Sequence, residues 1–227
     1  MKFHYTNLDT CHTATGAVVV VDVLRAFSTA AYALSRGAEK IILVGDVEEA
    51  LALKSQIPNS KAMGEVRGIQ PKDFEFGNSP TEIRELDLTG ITMIQRTSTG
   101  TQGAVRCKKA DVLLVSSFVV AGATTRYIKS LAPGDVTFVI TGETYNGGDE
   151  DFACAEYMEN QLKGQTLDPE SYIQRVHDSE DAQEHLDPKR PEFPLADLEY
   201  CTDIDAFDFA MIIEKENDLL IMRKMKI

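Results

Sequence analysis

What this sequence lacks narrows its chemistry before any motif is considered. No apolar run approaches the roughly 20 residues that a membrane-spanning helix needs; Ala17-Val18-Val19-Val20-Val21 is among the longest. No membrane partner is therefore expected. The opening Met1-Lys2-Phe3-His4-Tyr5 lacks the apolar core of a secretory signal, so a cytoplasmic location is the expectation. Lys and Arg number 23 against 36 Asp and Glu, a formal net charge of −13. A chain this acidic repels a phosphate backbone, and no nucleic-acid partner is expected. Cysteine is sparse: Cys11, Cys107, Cys154 and Cys201 form no C-x-x-C pair, and none has an Arg six positions on. They read as reduced, mostly buried thiols. His4, His12, His177 and His185 lie near the N-terminus or in a polar late segment, and none is assigned to catalysis. Also missing are a G-x-x-x-x-G-K-[ST] loop, a G-x-G-x-x-G after a strand, and a second Asp two residues after Asp22.

What is present alternates regularly. Strand patterns at 17–22, 40–45, 62–65, 91–95, 111–116 and 136–141 are separated by helix patterns at 27–36, 47–56, 100–108, 119–131 and 152–162. Strands spaced by helices, and apolar throughout, argue for a mostly parallel sheet covered on both faces. The expectation is an α/β chain, a three-layer α/β/α sandwich in one domain over 1–227. Residues 168–197 turn polar and acidic and read as a helix plus an irregular surface excursion. Residues 207–213 and 219–225 flank Glu214-Lys215-Glu216-Asn217-Asp218 and read as a C-terminal β-hairpin on the sheet edge. That hairpin could serve a homo-oligomer or cover the protein's own sheet.

In open α/β sheets, ligands bind beyond the carboxyl ends of the strands. Nearly every such exit here carries a charged or hydroxyl residue: Asp22 and Arg25, Glu65 and Arg67, the 96–101 turn, Ser116-Ser117, and Gly142-Glu143 ahead of Asp149-Glu150-Asp151. A fold does not require that. The 96–101 turn, Arg96-Thr97-Ser98-Thr99-Gly100-Thr101, places hydroxyls at a helix start, where free N–H groups suit an anion. Arg96 adds a planar fork. The plain alternatives are an N-cap at Ser98 or Thr99, a cap at Asp22, a surface salt bridge at Arg25, and turn chemistry at Gly77-Asn78-Ser79-Pro80. Asp149 to Asp151 could simply offset a helix dipole, yet such carboxylates also suit Mg²⁺. In so acidic a chain an anion site must be local. The reading is a site for a small, strongly anionic molecule, most simply a phosphate ester hydrolysed with a divalent metal. A non-catalytic binder of an anionic metabolite and a phosphatase for another small phosphorylated acid are the competing readings.

Four blocks in order resemble the 2-phosphosulfolactate phosphatases. Asp22-Val23-Leu24-Arg25-Ala26, with Ser28-Thr29 and Gly37-Ala38, looks like that family's opening motif. Gly64-Glu65 with Gly68, then Phe76-Gly77-Asn78-Ser79-Pro80, is similar to its second block. Residues 96–101 stand where the family has a Thr/Ser-rich turn ending in Gly-Thr, with Thr99 where Asn is frequent. Gly142 followed by Glu150-Asp151-Phe152-Ala153-Cys154-Ala155 looks like the last block. The resemblance implies an α/β/α fold and Mg²⁺-dependent hydrolysis of (2R)-2-phospho-3-sulfolactate to 3-sulfolactate and phosphate, a step toward coenzyme M. It casts Asp22, Arg25, Glu65 and Arg96 as catalytic. Arg67, Asn78, Ser79, Thr97, Ser98, Thr99, Gly100, Thr101, Gly142 and Glu143 become substrate-binding. Asp22, Glu65, Glu150 and Asp151 are the candidate ligands for Mg²⁺.

Overall fold

The computed structural model describes residues 1–142 and 149–227. In chain order the elements are β1 (Lys2–Asn7), β2 (Ala17–Val21), α1 (Ala26–Ser35), β3 (Lys40–Leu43), α2 (Val47–Gln56), β4 (Ser60–Gly64), α3 (Pro80–Ile83), β5 (Thr92–Arg96) and α4 (Gly100–Arg106). There follow β6 (Val112–Ser116), α5 (Ala121–Leu131), β7 (Asp135–Ile140), α6 (Asp149–Leu162), α7 (Pro169–Asp178), α8 (Glu180–Leu186), α9 (Ala196–Thr202), β8 (Ala210–Glu216) and β9 (Leu219–Met225). Among the described residues no helix is long and apolar enough to cross a membrane.

The strands form one sheet in the order β1-β7-β2-β6-β8-β9-β3-β5-β4. Alternate side chains leave opposite faces of a strand. Val18 and Val20 of β2 accordingly enter one core with α1, while Val19 and Val21 enter a second core with Phe138 and Met158 of α6. Helices on both faces explain why β2 is apolar at every position and buried at every position. A third, smaller core lies under α2.

The hairpin is present, but its expected place at the sheet edge is wrong. β8 pairs antiparallel with β6, and β9 pairs antiparallel with β3, so the hairpin lies inside the sheet. Met211 and Met222 are wholly buried there. Alternation along a strand marks a buried face and carries no information about which strands flank it.

Three antiparallel pairings separate β6 from β3. By pairing alone, the block β1-β7-β2-β6 therefore runs opposite to the block β3-β5-β4. The two blocks nevertheless bring their carboxyl ends together, because Thr99, past β5, bonds Asp22, past β2. Sheet twist of roughly 20–25° per strand accumulates over the four steps from β2 to β3. The sheet also wraps α1, whose residues from Ala26 to Leu34 are all buried and pack against strands of both blocks. A helix apolar all round needs such an envelope.

The 168–197 segment is not a surface excursion. It contains α7, α8 and the start of α9, and it buries Val176, Ala182, His185 and Asp197. Its polar composition concealed this, because Asp197 and His185 are buried with partners and so read as surface residues. Strand β1 and helix α9 were not expected from the sequence. β1 is a half-exposed strand of mixed composition at the sheet's end. Helix α6 starts at Asp149, so all three of its leading acids lie in the first turn, favourable for the dipole.

Candidate active site

Four strand exits converge. From β2 comes Asp22, from β4 Glu65, from β5 Ser98 and Thr99, and from β7 Thr141 and Gly142. Asp22 is buried; its Oδ1 accepts from the Ala26 N–H at 2.8 Å, and its Oδ2 accepts from the Thr99 hydroxyl at 2.9 Å. It does cap α1, and it faces the site as well. The Thr141 hydroxyl lies 3.2 Å from Asp22 Oδ2, 3.0 Å from Asp151 Oδ2 and 3.0 Å from the Val21 carbonyl. One proton thus serves three acceptors. Asp151 also accepts from the Val23 N–H at 2.7 Å and the Gly142 N–H at 3.1 Å.

This is a costly place for negative charge. Burial raises the Asp22 carboxyl above its ordinary range. Burial, then the charge of Asp22, holds Asp151 well above that range. Burial, then the charge of Asp151, does the same to Glu150, whose Oε2 is buried with no hydrogen-bond partner. Burial, then Asp22, pushes Asp181 of α8 up to about 6. Repelling buried carboxylates stay ionised only with a compensating cation.

Around the β4 exit the acids act differently. Glu65 Oε1 accepts from the Ser98 N–H at 2.5 Å, and Oε2 accepts from the Gly68 N–H at 2.7 Å and the Ser98 hydroxyl at 3.0 Å. The Arg67 N–H donates to Ser98 Oγ at 2.9 Å. Glu65 therefore ties the 65–68 loop to the β5 exit. Gly64 permits the approach: at φ 131 its added Cβ would lie 1.9 Å from the Arg96 carbonyl oxygen.

The exits open into a cavity of about 140 Å³. Arg25, Glu65, Arg67, Asn78, Ser98 and Thr99, all named from sequence, line it. Asp22, Gly142 and Asp151, linked through Thr141, form a bonded cluster beside it, with Gly100 packed on Asp22 and the charge of Asp151 acting on Glu150. Four candidates serve the framework instead. Arg96 donates to the carbonyls of Gly45 and Glu65, at 3.2 Å and 2.8 Å. Thr97 and Thr101 are wholly buried and bond each other in both directions through N–H and hydroxyl groups. Ser79 donates to Asp197 at 2.9 Å. The 96–101 turn thus spends most of its donors internally. Glu143 lies outside the described residues.

A family model described as 2-phosphosulpholactate phosphatase matches residues 4–216. The chain belongs to that family. A relative named "Probable 2-phosphosulfolactate phosphatase" from Bacillus subtilis (strain 168) is 33% identical over 202 residues, covering 88% of each chain. One of the same name from Thermotoga petrophila is 34% identical over 206 residues, covering 87% of each. One from Carboxydothermus hydrogenoformans is 38% identical over 160 residues, covering 69% of this chain and 66% of its own.

Several site residues of this family member escape a sequence reading. Asp181, Glu184, His185 and Phe193 line the cavity with the expected set. Their one signal is spacing: 181, 184 and 185 stand at i, i+3 and i+4, on one face of a helix. Beside its casting as catalytic, the plain alternative for Arg25 was a surface salt bridge. It is instead buried, with Nη1 2.7 Å from Asp197 Oδ2, and both side chains are at most 3% exposed.

Proposed function

We propose that this chain is a phosphoric monoester hydrolase that releases phosphate from 2-phosphosulfolactate, leaving 3-sulfolactate, with Mg²⁺ as cofactor. The observation that carries the reading is the bonded set Asp22, Thr99, Thr141 and Asp151, drawn from three strand exits and α6, at the edge of a cavity lined by Arg25 and Arg67. Family membership supplies the substrate.

The donor set suits a hard divalent cation, which takes carboxylate oxygens and retains water. Glu150 Oε2, buried and unpaired, is an oxygen that a cation would satisfy. Asp22, Glu150 and Asp151 would hold the ion. Among the described residues no three such side chains already converge as a coordination group, so binding would reorient some of them. The bound ion would neutralise phosphate oxygens and lower the cost of the attacking oxygen's charge. Asp22 would accept the proton that the attacking water gives up as the new oxygen–phosphorus bond forms, and the phosphorus–ester bond breaks with the departing oxygen taking up a proton from solvent to leave as the alcohol of 3-sulfolactate. Thr99 and Thr141 fix the Asp22 carboxylate through Oδ2. Phosphoryl transfer rests on positioning and electrostatics, so the reaction needs no covalent Cys or His nucleophile.

The test is a panel of phosphomonoesters with Mg²⁺ and after exhaustive chelation. Phosphate release should be fastest from 2-phosphosulfolactate, stop on chelation and return with Mg²⁺. Turnover that persists without metal would overturn the cofactor assignment. Binding of the ester with no release would make the chain a carrier.

A further inference from the structure

The cavity borders the carboxylate cluster around Asp22 through Thr99, which lines it and bonds Asp22. Its other side is built around Arg25, and the phosphoryl chemistry above does not use it. Arg25 Nη1 donates to Asp197 Oδ2 at 2.7 Å and to the Glu192 carbonyl at 2.9 Å. Its guanidinium carbon sits 4.5 Å from the centroid of the Phe193 ring. Nε and Nη2 have no protein hydrogen-bond partner among the described residues. Those two donors form one edge of the fork, the edge that grips an oxyanion through two parallel bonds.

Asp197 does more than neutralise Arg25. Its Oδ1 accepts from the Ser79 hydroxyl at 2.9 Å, the Thr81 N–H at 2.9 Å and the Thr81 hydroxyl at 2.6 Å. That anchors the chain beside Asn78, which is 7% exposed, lines the cavity and has an Oδ1 with no partner. With no bond holding its amide in one orientation, Asn78 can present N–H to a ligand. His185 Nδ1 lies 2.8 Å from the Pro194 carbonyl, and its ring meets Phe193 edge-on. That contact makes Nδ1 the donor, and burial favours the neutral ring, so Nε2 is an acceptor and His185 serves to hold the Phe193 ring against Arg25. The remaining charged lining groups are Glu65, bonded into its loop, Glu184, paired with Arg190, Arg67 and Asp181.

We propose that Arg25 and Asn78 form the subsite for an acid group that stays with the alcohol product, a sulfonate or carboxylate, and that Asp197 is the positioning residue that sets it. The assignment rests on the phosphatase reading, which places the transferred phosphate at Asp22. Selectivity for esters with a second acid group then resides in Asn78 and in Arg25 as Asp197 holds it.

Calorimetry with 3-sulfolactate and with inorganic phosphate tests this without requiring turnover. Asp197→Asn retains an acceptor for Ser79 and Thr81 but removes the charge that fixes Arg25. Its affinity for 3-sulfolactate should fall tenfold or more, and that for phosphate should stay within twofold. Arg25→Lys keeps the charge and loses the fork, and it should show the same asymmetry if Asp197→Asn fails to fold. In kinetics, KM for 2-phosphosulfolactate should rise more than KM for p-nitrophenyl phosphate, which has no second acid group. Equal losses for both ligands, or none, would overturn the subsite. Failure of the unaltered protein to hydrolyse either ester would overturn the phosphatase reading alone, and the binding comparison would still decide the subsite.

Discussion

Gly100→Ala probes how tightly the α4 start is packed on the Asp22 carboxylate. An added Cβ there would lie 2.7 Å from Asp22 Oδ2 and 2.8 Å from Ala26 Cβ. Ordinary contact between carbon atoms is about 3.5–4 Å, so the pair must separate by roughly 1 Å. Asp22 has little room to yield, since Ala26, Thr99 and Thr141 all hold its carboxylate. Overpacking of this kind costs about 1–3 kcal/mol. Ala gains back at most about 1 kcal/mol over Gly as a helix former. A net loss of about 0–2 kcal/mol by urea titration is therefore expected. The effect on catalysis is larger, because a misplacement of about 1 Å can cost on the order of 10²-fold in rate. Phosphate release from 2-phosphosulfolactate with Mg²⁺ is the assay. Gly134→Ala, where an added Cβ has nothing within 4 Å, is the control. Turnover by Gly100→Ala within threefold of the unaltered protein would refute the idea that this contact sets the position of Asp22.

Asp22→Asn keeps the acceptor for the Ala26 N–H and removes the proton acceptor; turnover should fall about 10²-fold or more, and full activity would remove Asp22 from the chemistry. Met211→Ala empties a wholly buried position of β8 and should cost about 2–5 kcal/mol in urea unfolding; a loss under about 1 kcal/mol would show the hairpin to be peripheral.

The local parts of this molecule were legible and the long-range parts were not. Strands β2, β3, β6 and β7 could be read because a strand buried on both faces is largely apolar, a property of a few adjacent residues, while β4 and β5 offered only short apolar stretches. The exits could be read because the residue following such a strand is fixed by chain order. Asp22 and Thr99 were both named, although their contact joins residues 77 apart. Arg25 and Asp197 are 172 residues apart, and nothing local to Asp197 marks it as the buried partner of a buried Arg. The 96–101 turn misled in the opposite way. Its hydroxyls and N–H groups look free in sequence, yet Thr97 and Thr101 satisfy each other and Ser98 is taken by Glu65. A run of donors indicates capacity to bind, and only geometry shows what remains after the fold has used its share.

The hairpin connects these two levels. Its apolar alternation was visible, but its insertion between β6 and β3 was not. That insertion contributes the odd number of antiparallel steps and much of the twist between the two parallel blocks. Without it, β3 and β6 would leave unpaired edges, and the exits of β2 and β5 would have no fixed relation. The last strands of the chain, which contribute no residue to the cavity lining, thus hold Asp22 and Thr99 in register. The site is assembled from strand exits that are individually predictable, and it is positioned by a pairing that depends on the whole sheet.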